Sequence, residues 1–160
     1  MKKVNLSMVF GLISVCLLSI GLILPAIDFS VFHEQIQIEY NLMKICKNVG
    51  HISSMWIGIP YGIIIGIIIM AILSFVKIPI FKIIPSILVL IMIILMLIDI
   101  GNVIDWINGI IEKYANSSME TVEIQDIFRA FRSGIYCMIA GLIFGITSCF
   151  FKVDSKNYGI

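Results

Sequence analysis

The chain has 160 residues, of which 60% are hydrophobic and only 13% are charged, and its formal net charge at pH 7 is +1. A mean hydropathy of +1.09 excludes a soluble domain of this size, whose surface would need many more charged side chains. The chain also has no basic tract, which excludes a nucleic-acid partner. We therefore expect an integral membrane protein surrounded by lipid.

The first stretch free of charged residues predicts a membrane span at about residues 4–27, since a span needs about 20 apolar residues. Gly11 and Ser14 lie on one face of this helix. Small residues let two helix backbones approach closely inside a membrane, where apolar contact alone drives little association. They therefore mark a packing face.

The segment after the first span, residues 28–51, is predicted to lie outside the membrane. From Ile36 to Leu42 apolar residues alternate with polar ones, which is typical of a strand. With Phe29 to Phe32 as its partner, we expect a short outer β-hairpin between the first two spans.

A ladder of small residues runs through the second predicted span, residues 52–76. Ser54, Gly58, Gly62 and Gly66 are spaced by four, which places them on one ridge of a helix. We expect this ridge to pack against another helix. Two explanations remain open: packing within one protomer, or self-association into an oligomer, of which a pore is one form.

The third span is charge-free only from Ile83 to Ile98 and completes its length, about 83–104, by running past Asp99. An acid inside a span is costly and needs a partner. The interpretation that the sequence favours is a position of Asp99 at the headgroup level, with water around it. An intramembrane ion pair between Asp99 and Arg129 or Arg132, and a proton or ion relay, are the alternatives.

Residues 105–132 form the second predicted outer segment, with a helical extension to Ala115 and a second helical pattern from Thr121 to Phe131. The fourth span follows at 133–151. It carries a further packing face, made of Gly134, Gly141 and Gly145.

Loop charges orient these four spans. One side carries a single acid, Asp154, against six lysines, which are Lys2, Lys3, Lys77, Lys82, Lys152 and Lys156. Because lysine and arginine near span ends stay inside, both termini should be cytoplasmic. Isoleucine outnumbers leucine and lysine outnumbers arginine, a bias typical of an AT-rich genome, so we expect a bacterial plasma membrane.

No catalytic motif stands in the sequence, neither a phosphate loop, a nucleophile elbow nor an HExxH pair, so we expect no enzyme. His33, Glu34, Glu39 and His51 match no compact metal-ligand spacing. The prediction is therefore one integral membrane domain over 1–160, an all-α transmembrane four-helix bundle with an outer hairpin and no cofactor.

The layout resembles that of small bacterial four-span membrane proteins of claudin-like topology. Leu24-Pro25 ends the first span, an alternating outer segment follows, and Gly134-Ile135-Tyr136 opens a glycine-containing last span. The resemblance implies four spans with a β-rich outer segment. It does not imply the junctional role of animal claudins, because Cys46 stands alone and no Trp-Gly-Leu-Trp run is present.

These features favour a membrane protein that acts through protein partners or as a homo-oligomer. One form is an immunity, defence or envelope-stress protein that intercepts a membrane-active toxin or senses envelope damage. A second is an accessory subunit of a transporter or secretion complex, bound through the Gly58, Gly62 and Gly66 ridge. An oligomeric channel or carrier using Asp99 is the third.

Overall fold

A computed structural model describes residues 5–32, 38–76, 79–115 and 122–151 of the chain. These ranges contain seven α-helices and one antiparallel pair of strands. In chain order they are α1 (Leu6–Ile23), β1 (Pro25–Asp28), β2 (Glu39–Asn41), α2 (Leu42–Val49), α3 (Met55–Ser74), α4 (Ile83–Ile98), α5 (Ile100–Ala115), α6 (Ile124–Ala130) and α7 (Ser133–Ser148). The mostly helical prediction is confirmed.

Helix ends follow local chemistry. Asn5 and Asn41 cap α1 and α2, each through a side-chain oxygen that accepts from a backbone N–H three residues later. Pro25 disfavours a helical conformation at Leu24, so α1 stops at Ile23 and the chain enters β1.

Two helices, α1 and α3, are long and apolar enough to cross a membrane. A third span exists if α4 and residues 100–113 are taken together, and these two helices meet at an angle of 55°. The third predicted span is therefore not one continuous helix to residue 104, because the chain bends at Asp99. Helix α7 is apolar and has 16 residues, and four complete spans remain a prediction.

Helices α1, α3, α4 and α7, referred to below as the four long helices, pack side by side. α1 contacts α7 and α3, α3 contacts α4, and α4 contacts α7. Hydrogen bonds join α1 to α7 at two levels, from Ser7 Oγ to the Ser148 carbonyl (2.8 Å) and from Ser14 Oγ to the Gly141 carbonyl (2.6 Å). Helices α1 and α7, the first and last in the described residues, are thus direct neighbours.

The strands, α2, α5 and α6 form a second layer, which we call the head. It lies where α1 and α4 end and where α3 and α7 begin. Its centre is fully buried, with Phe29, Leu42, Val49, Ile107 and Ala130 all at 0% exposure. The head and the helix ends share one apolar core.

A two-stranded sheet confirms the predicted pairing of strands in this segment, although the strands lie elsewhere than expected. Pro25–Asp28 pairs with Glu39–Asn41, whereas Phe29–Val31 forms a 3-10 turn. Leu42 belongs to α2, and 33–37 are outside the described residues. Phe131 adds an isolated antiparallel bridge to Ile27, and the Arg132 N–H donates to the Ala26 carbonyl at 2.9 Å.

Candidate functional site

The glycines of α7 lie where its neighbours come closest. A Cβ atom added to Gly134 would lie 2.7 Å from the carbonyl oxygens of Leu24 and Pro25. One added to Gly141 would lie 3.0 Å from the backbone nitrogen of Leu18. The same addition to Gly145 would meet Ser14 Oγ at 2.9 Å. These positions therefore allow α1 and α7 to touch backbone to backbone.

Gly11 plays a similar part on α1, since a Cβ atom there would collide with the hydroxyl of Ser74 on α3. Gly11 and Ser14 are both buried. The packing faces expected on the first and fourth predicted spans, now α1 and α7, thus meet each other. The face of α1 also meets the end of α3.

The ladder on α3 divides into two halves. Gly62 and Gly66 face α4, where an added Cβ would lie 2.6 Å from Met92 Sδ and 2.7 Å from Val89 Cγ2 respectively. Ser54 and Gly58 are exposed, and a Cβ atom on Gly58 would meet nothing within 4 Å. The expectation of one continuous packing ridge is corrected. In a helix with 3.6 residues per turn, each residue of the ladder is displaced by about 40° around the axis from the one four positions before it. Over the three steps from Ser54 to Gly66 the displacement is about 120°, too large for one packing face.

Asp99 lies in the bend between α4 and α5 and is partly buried. Its Oδ2 accepts a hydrogen bond from Trp56 Nε1 at 2.8 Å, and its Oδ1 accepts one from Asn102 Nδ2 at 2.7 Å. The bonds attach the first turn of α3 to the bend. Both carboxylate oxygens of Asp99 are therefore engaged by neutral donors.

The two arginines have other acids beside them, so the ion pair with Asp99 that the sequence left open as an alternative is not formed. Arg129 lies 3.7 Å from Asp126, three residues away on the exposed side of α6. Arg132 binds Asp28 at the end of β1 through Nε, at 3.0 Å, and through Nη2. The Phe131–Ile27 bridge sets Arg132 alongside β1, which decides its partner.

Asp28 is only 7% exposed and also accepts a 2.9 Å hydrogen bond from the Ser30 N–H. Burial raises the pKa of this carboxyl group, but the hydrogen bonds from Arg132 and Ser30 outweigh burial and hold its pKa below the usual value. The pair fastens the start of α7 to the head. A partner for Arg132 was expected from the sequence, but nothing in the sequence singled out Asp28.

A polar cluster at the opposite end of the helices surrounds Lys82. This lysine is 0% exposed, and its Nζ donates to the carbonyl and to the hydroxyl oxygen of Ser7, at 3.0 and 2.9 Å. Ser7, Ser74 and Ser148 are also buried to within 1%. Sequence reasoning counted Lys82 only as a cytoplasmic loop charge, because burial is not visible in a charge pattern.

No described residues form a group of three or more His, Cys, Asp or Glu side chains that could hold a metal. His33 and Glu34 lie outside the described ranges. Burial raises the pKa of Cys46, on α2, to about 12, so this thiol stays protonated at neutral pH.

No family model matches this chain, and neither do curated proteins or solved structures. Its function is therefore argued from its own geometry.

Proposed function

We propose that this is a non-enzymatic, multi-pass protein of the bacterial plasma membrane whose head binds a protein partner outside the cell. In this proposal α1, α3, α4 and α7 form a four-helix transmembrane bundle with both termini in the cytoplasm, and α5 belongs to the head outside the membrane. The interception of a membrane-active toxin and the sensing of envelope damage are two forms that such binding can take.

The outward faces of the four long helices support a membrane location. Each carries large apolar side chains with high exposure, such as Ile23 (73%) on α1, Ile72 (62%) on α3, Ile98 (71%) on α4 and Ile143 (59%) on α7. Apolar surface of this extent needs hydrocarbon or another protein against it. The 16 residues of α7 measure about 24 Å, and the exposed Phe150 extends the apolar surface beyond its end.

The head is the observation that carries the proposal. Neighbouring antiparallel helices are usually joined by about two to eight residues. Here residues 24–54 separate α1 from α3, and residues 99–132 separate α4 from α7. These connections form helices, a sheet and a buried core of their own. Crossing a membrane requires none of this, whereas recognition of a partner requires a rigid surface.

Helix α5 presents the face of the head that we select for the test. Gly101, Asp105, Gly109 and Glu112 are all exposed and recur at helical spacing on one side of α5. Neither glycine would bring an added Cβ within 4 Å of another group. A partner with a basic segment could approach this side closely. Helix α2 offers the opposite charge, with Lys44 and Lys47 exposed.

One observation favours the accessory-subunit form as a second candidate. Gly58, in the outward half of the ladder, packs against no other described helix of this chain. Its neighbours Ile57 (54%) and Tyr61 (63%) are exposed. A partner helix could pack there within the membrane. The carrier form has less support, because Trp56 and Asn102 already bind both oxygens of Asp99.

The decisive experiment is purification from native membranes in mild detergent, with quantitative mass spectrometry of what is retained. We expect a stoichiometric companion with the wild type and its loss with Asp105→Lys/Glu112→Lys. The matched control, Lys44→Glu/Lys47→Glu, should keep it, as should Gly58→Leu. If the companion is lost with Gly58→Leu alone, the binding surface is α3 and not the head. Absence of any companion, even after cross-linking in membranes, would overturn the proposal.

A further inference from the structure

An apolar cavity of about 50 Å³ lies between the head and the helix ends, where α4 bends into α5. Its walls come from the strand β1 and from every helix except α1, and include Trp56, Leu97, Ile100, Ile127 and Ile135. Every side chain that lines it is apolar except for the indole N–H of Trp56. That N–H is already bound to Asp99.

The cavity has room for water but is chemically unsuited to it. A water molecule needs roughly 10 to 15 Å³ of such space and two to four polar partners. The cavity exceeds that volume several times and offers no free polar partner. Its side chains would gain contacts from an apolar group, because a void leaves them without neighbouring atoms on one side.

Leu97 marks the mouth of the cavity. It is the lining residue with an exposed side chain, at 49%, and it lies beside Ile98 (71%) and Ile94 (44%) on the outward face of α4. On α7, Tyr136 (61%) and Ile139 (45%) flank the outward side next to Ile135. The cavity thus continues the apolar surface of the long helices inward.

We propose that this cavity binds a short methylene segment of a phospholipid acyl chain from the surrounding bilayer. The inference rests on the membrane location in the proposed function, since that location puts hydrocarbon chains against Leu97. The volume of about 50 Å³ suits a short linear chain better than a ring system. An engineered apolar cavity that takes benzene has about 150 Å³, three times the volume here.

Trp56 provides a direct reporter, because it lines the cavity while being only 2% exposed. The variant Trp106→Phe leaves Trp56 as the single tryptophan of the full chain. We would reconstitute it in vesicles of phosphatidylcholine that is either unmodified or brominated on its acyl chains, because bromine quenches indole emission at close contact. We expect a loss of Trp56 emission in the brominated vesicles.

A matched pair of variants separates the cavity from general contact with lipid. Leu97→Phe narrows the mouth, whereas Ile98→Phe adds the same ring one residue away on the outward surface. In the Trp106→Phe background, quenching should fall with Leu97→Phe and persist with Ile98→Phe. Circular dichroism and size-exclusion profiles check that both variants fold.

The outcomes also distinguish this inference from the proposed function. Vesicle flotation measures insertion separately, and failure to insert would overturn both. If the protein inserts but Trp56 is not quenched, the acyl-chain inference is overturned and the proposed function stands. The occupant would then be an apolar side chain of a partner. Equal quenching in the Leu97→Phe and Ile98→Phe variants would likewise overturn it.

Discussion

Trp56 Nε1 donates a 2.8 Å hydrogen bond to Asp99 Oδ2, and this bond joins the first turn of α3 to the bend that separates α4 from α5. The indole is buried, so its N–H has no access to water in place of Asp99. The orientation of α5, and with it one side of the head, depends on this contact.

Replacing Trp56 by Phe should therefore lower the free energy of unfolding by about 1.5–3 kcal/mol, the usual contribution of a hydrogen bond to a charged group. Asp99→Asn should cost less, because an amide oxygen still accepts from the indole. Unfolding by denaturant in detergent micelles measures both. Trp106→Phe serves as the control, because it changes the other tryptophan. If Trp106→Phe lowers the free energy of unfolding as much as Trp56→Phe does, the hydrogen bond from Trp56 to Asp99 has no specific role.

The packing glycines give a second prediction through a contrasting pair. Gly134→Ala should destabilise the fold by about 1–3 kcal/mol, because its Cβ would press on the carbonyl oxygens of Leu24 and Pro25, which cannot move away as a side chain can. Gly58→Ala should stabilise it by up to about 1 kcal/mol, because alanine favours the helix and the space is open. Unfolding curves of the two variants under one set of conditions compare them directly. Equal effects would mean that the two positions do not differ in packing.

Acidification tests the bond between Asp28 and Arg132. The pKa of Asp28 lies below its usual value in the folded chain, so the folded state binds a proton less readily than the unfolded state. The stability it contributes is complete above the unfolded value of about 4 and is lost as the pH falls through the lower folded value. Asp28→Asn should remove this part of the pH dependence.

The measurement is the free energy of unfolding between about pH 5 and pH 2, followed by the near-ultraviolet signal of the aromatic cluster around Phe29. Asp105→Asn is the control, because this acid is exposed on α5. An unchanged acid profile in Asp28→Asn would contradict the prediction.

The buried lysine gives a fourth prediction, on a pair of residues. Ser7→Ala removes the hydroxyl that accepts from Lys82 and donates to the Ser148 carbonyl, and should cost about 1–3 kcal/mol. Lys82→Met keeps the length of the side chain without its charge and should cost little or stabilise. The double variant should be more stable than the sum of the two single changes predicts. Strict additivity would show that the Ser7 hydroxyl does not stabilise the ammonium group.

Helix positions and apolar faces could be predicted because they depend on residues close together in the chain. Helices α1 and α7 carry small residues at helical spacing, and the structure places Ser14 of α1 in contact with Gly141 of α7. The ladder on α3 was misread for a local reason. Equal spacing by four suggests one ridge, but only the half that contains Gly62 and Gly66 faces α4.

Partners could not be predicted, because they depend on which segments the fold brings together. The sequence offered Arg132 as one possible partner of Asp99, yet the strand bridge at Phe131 places it next to Asp28, 104 residues away in sequence. Residues 42–49 carry apolar side chains at the helical spacing of Leu42, Ile45, Cys46 and Val49, but the strand pattern was extended to Leu42 and α2, which supplies much of the core of the head, was not predicted. The burial of Lys82 follows likewise from the approach of α1.

The pairing of α1 with α7 sets an order for biogenesis. Ser7 finds its acceptor 141 residues later in the chain, so the main neighbour of α1 leaves the ribosome long after α1 itself. Until then Ser14 and Gly21 on α1 lack their neighbours on α7. A chain truncated before α7 would therefore leave this face of α1 without the helix that packs on it.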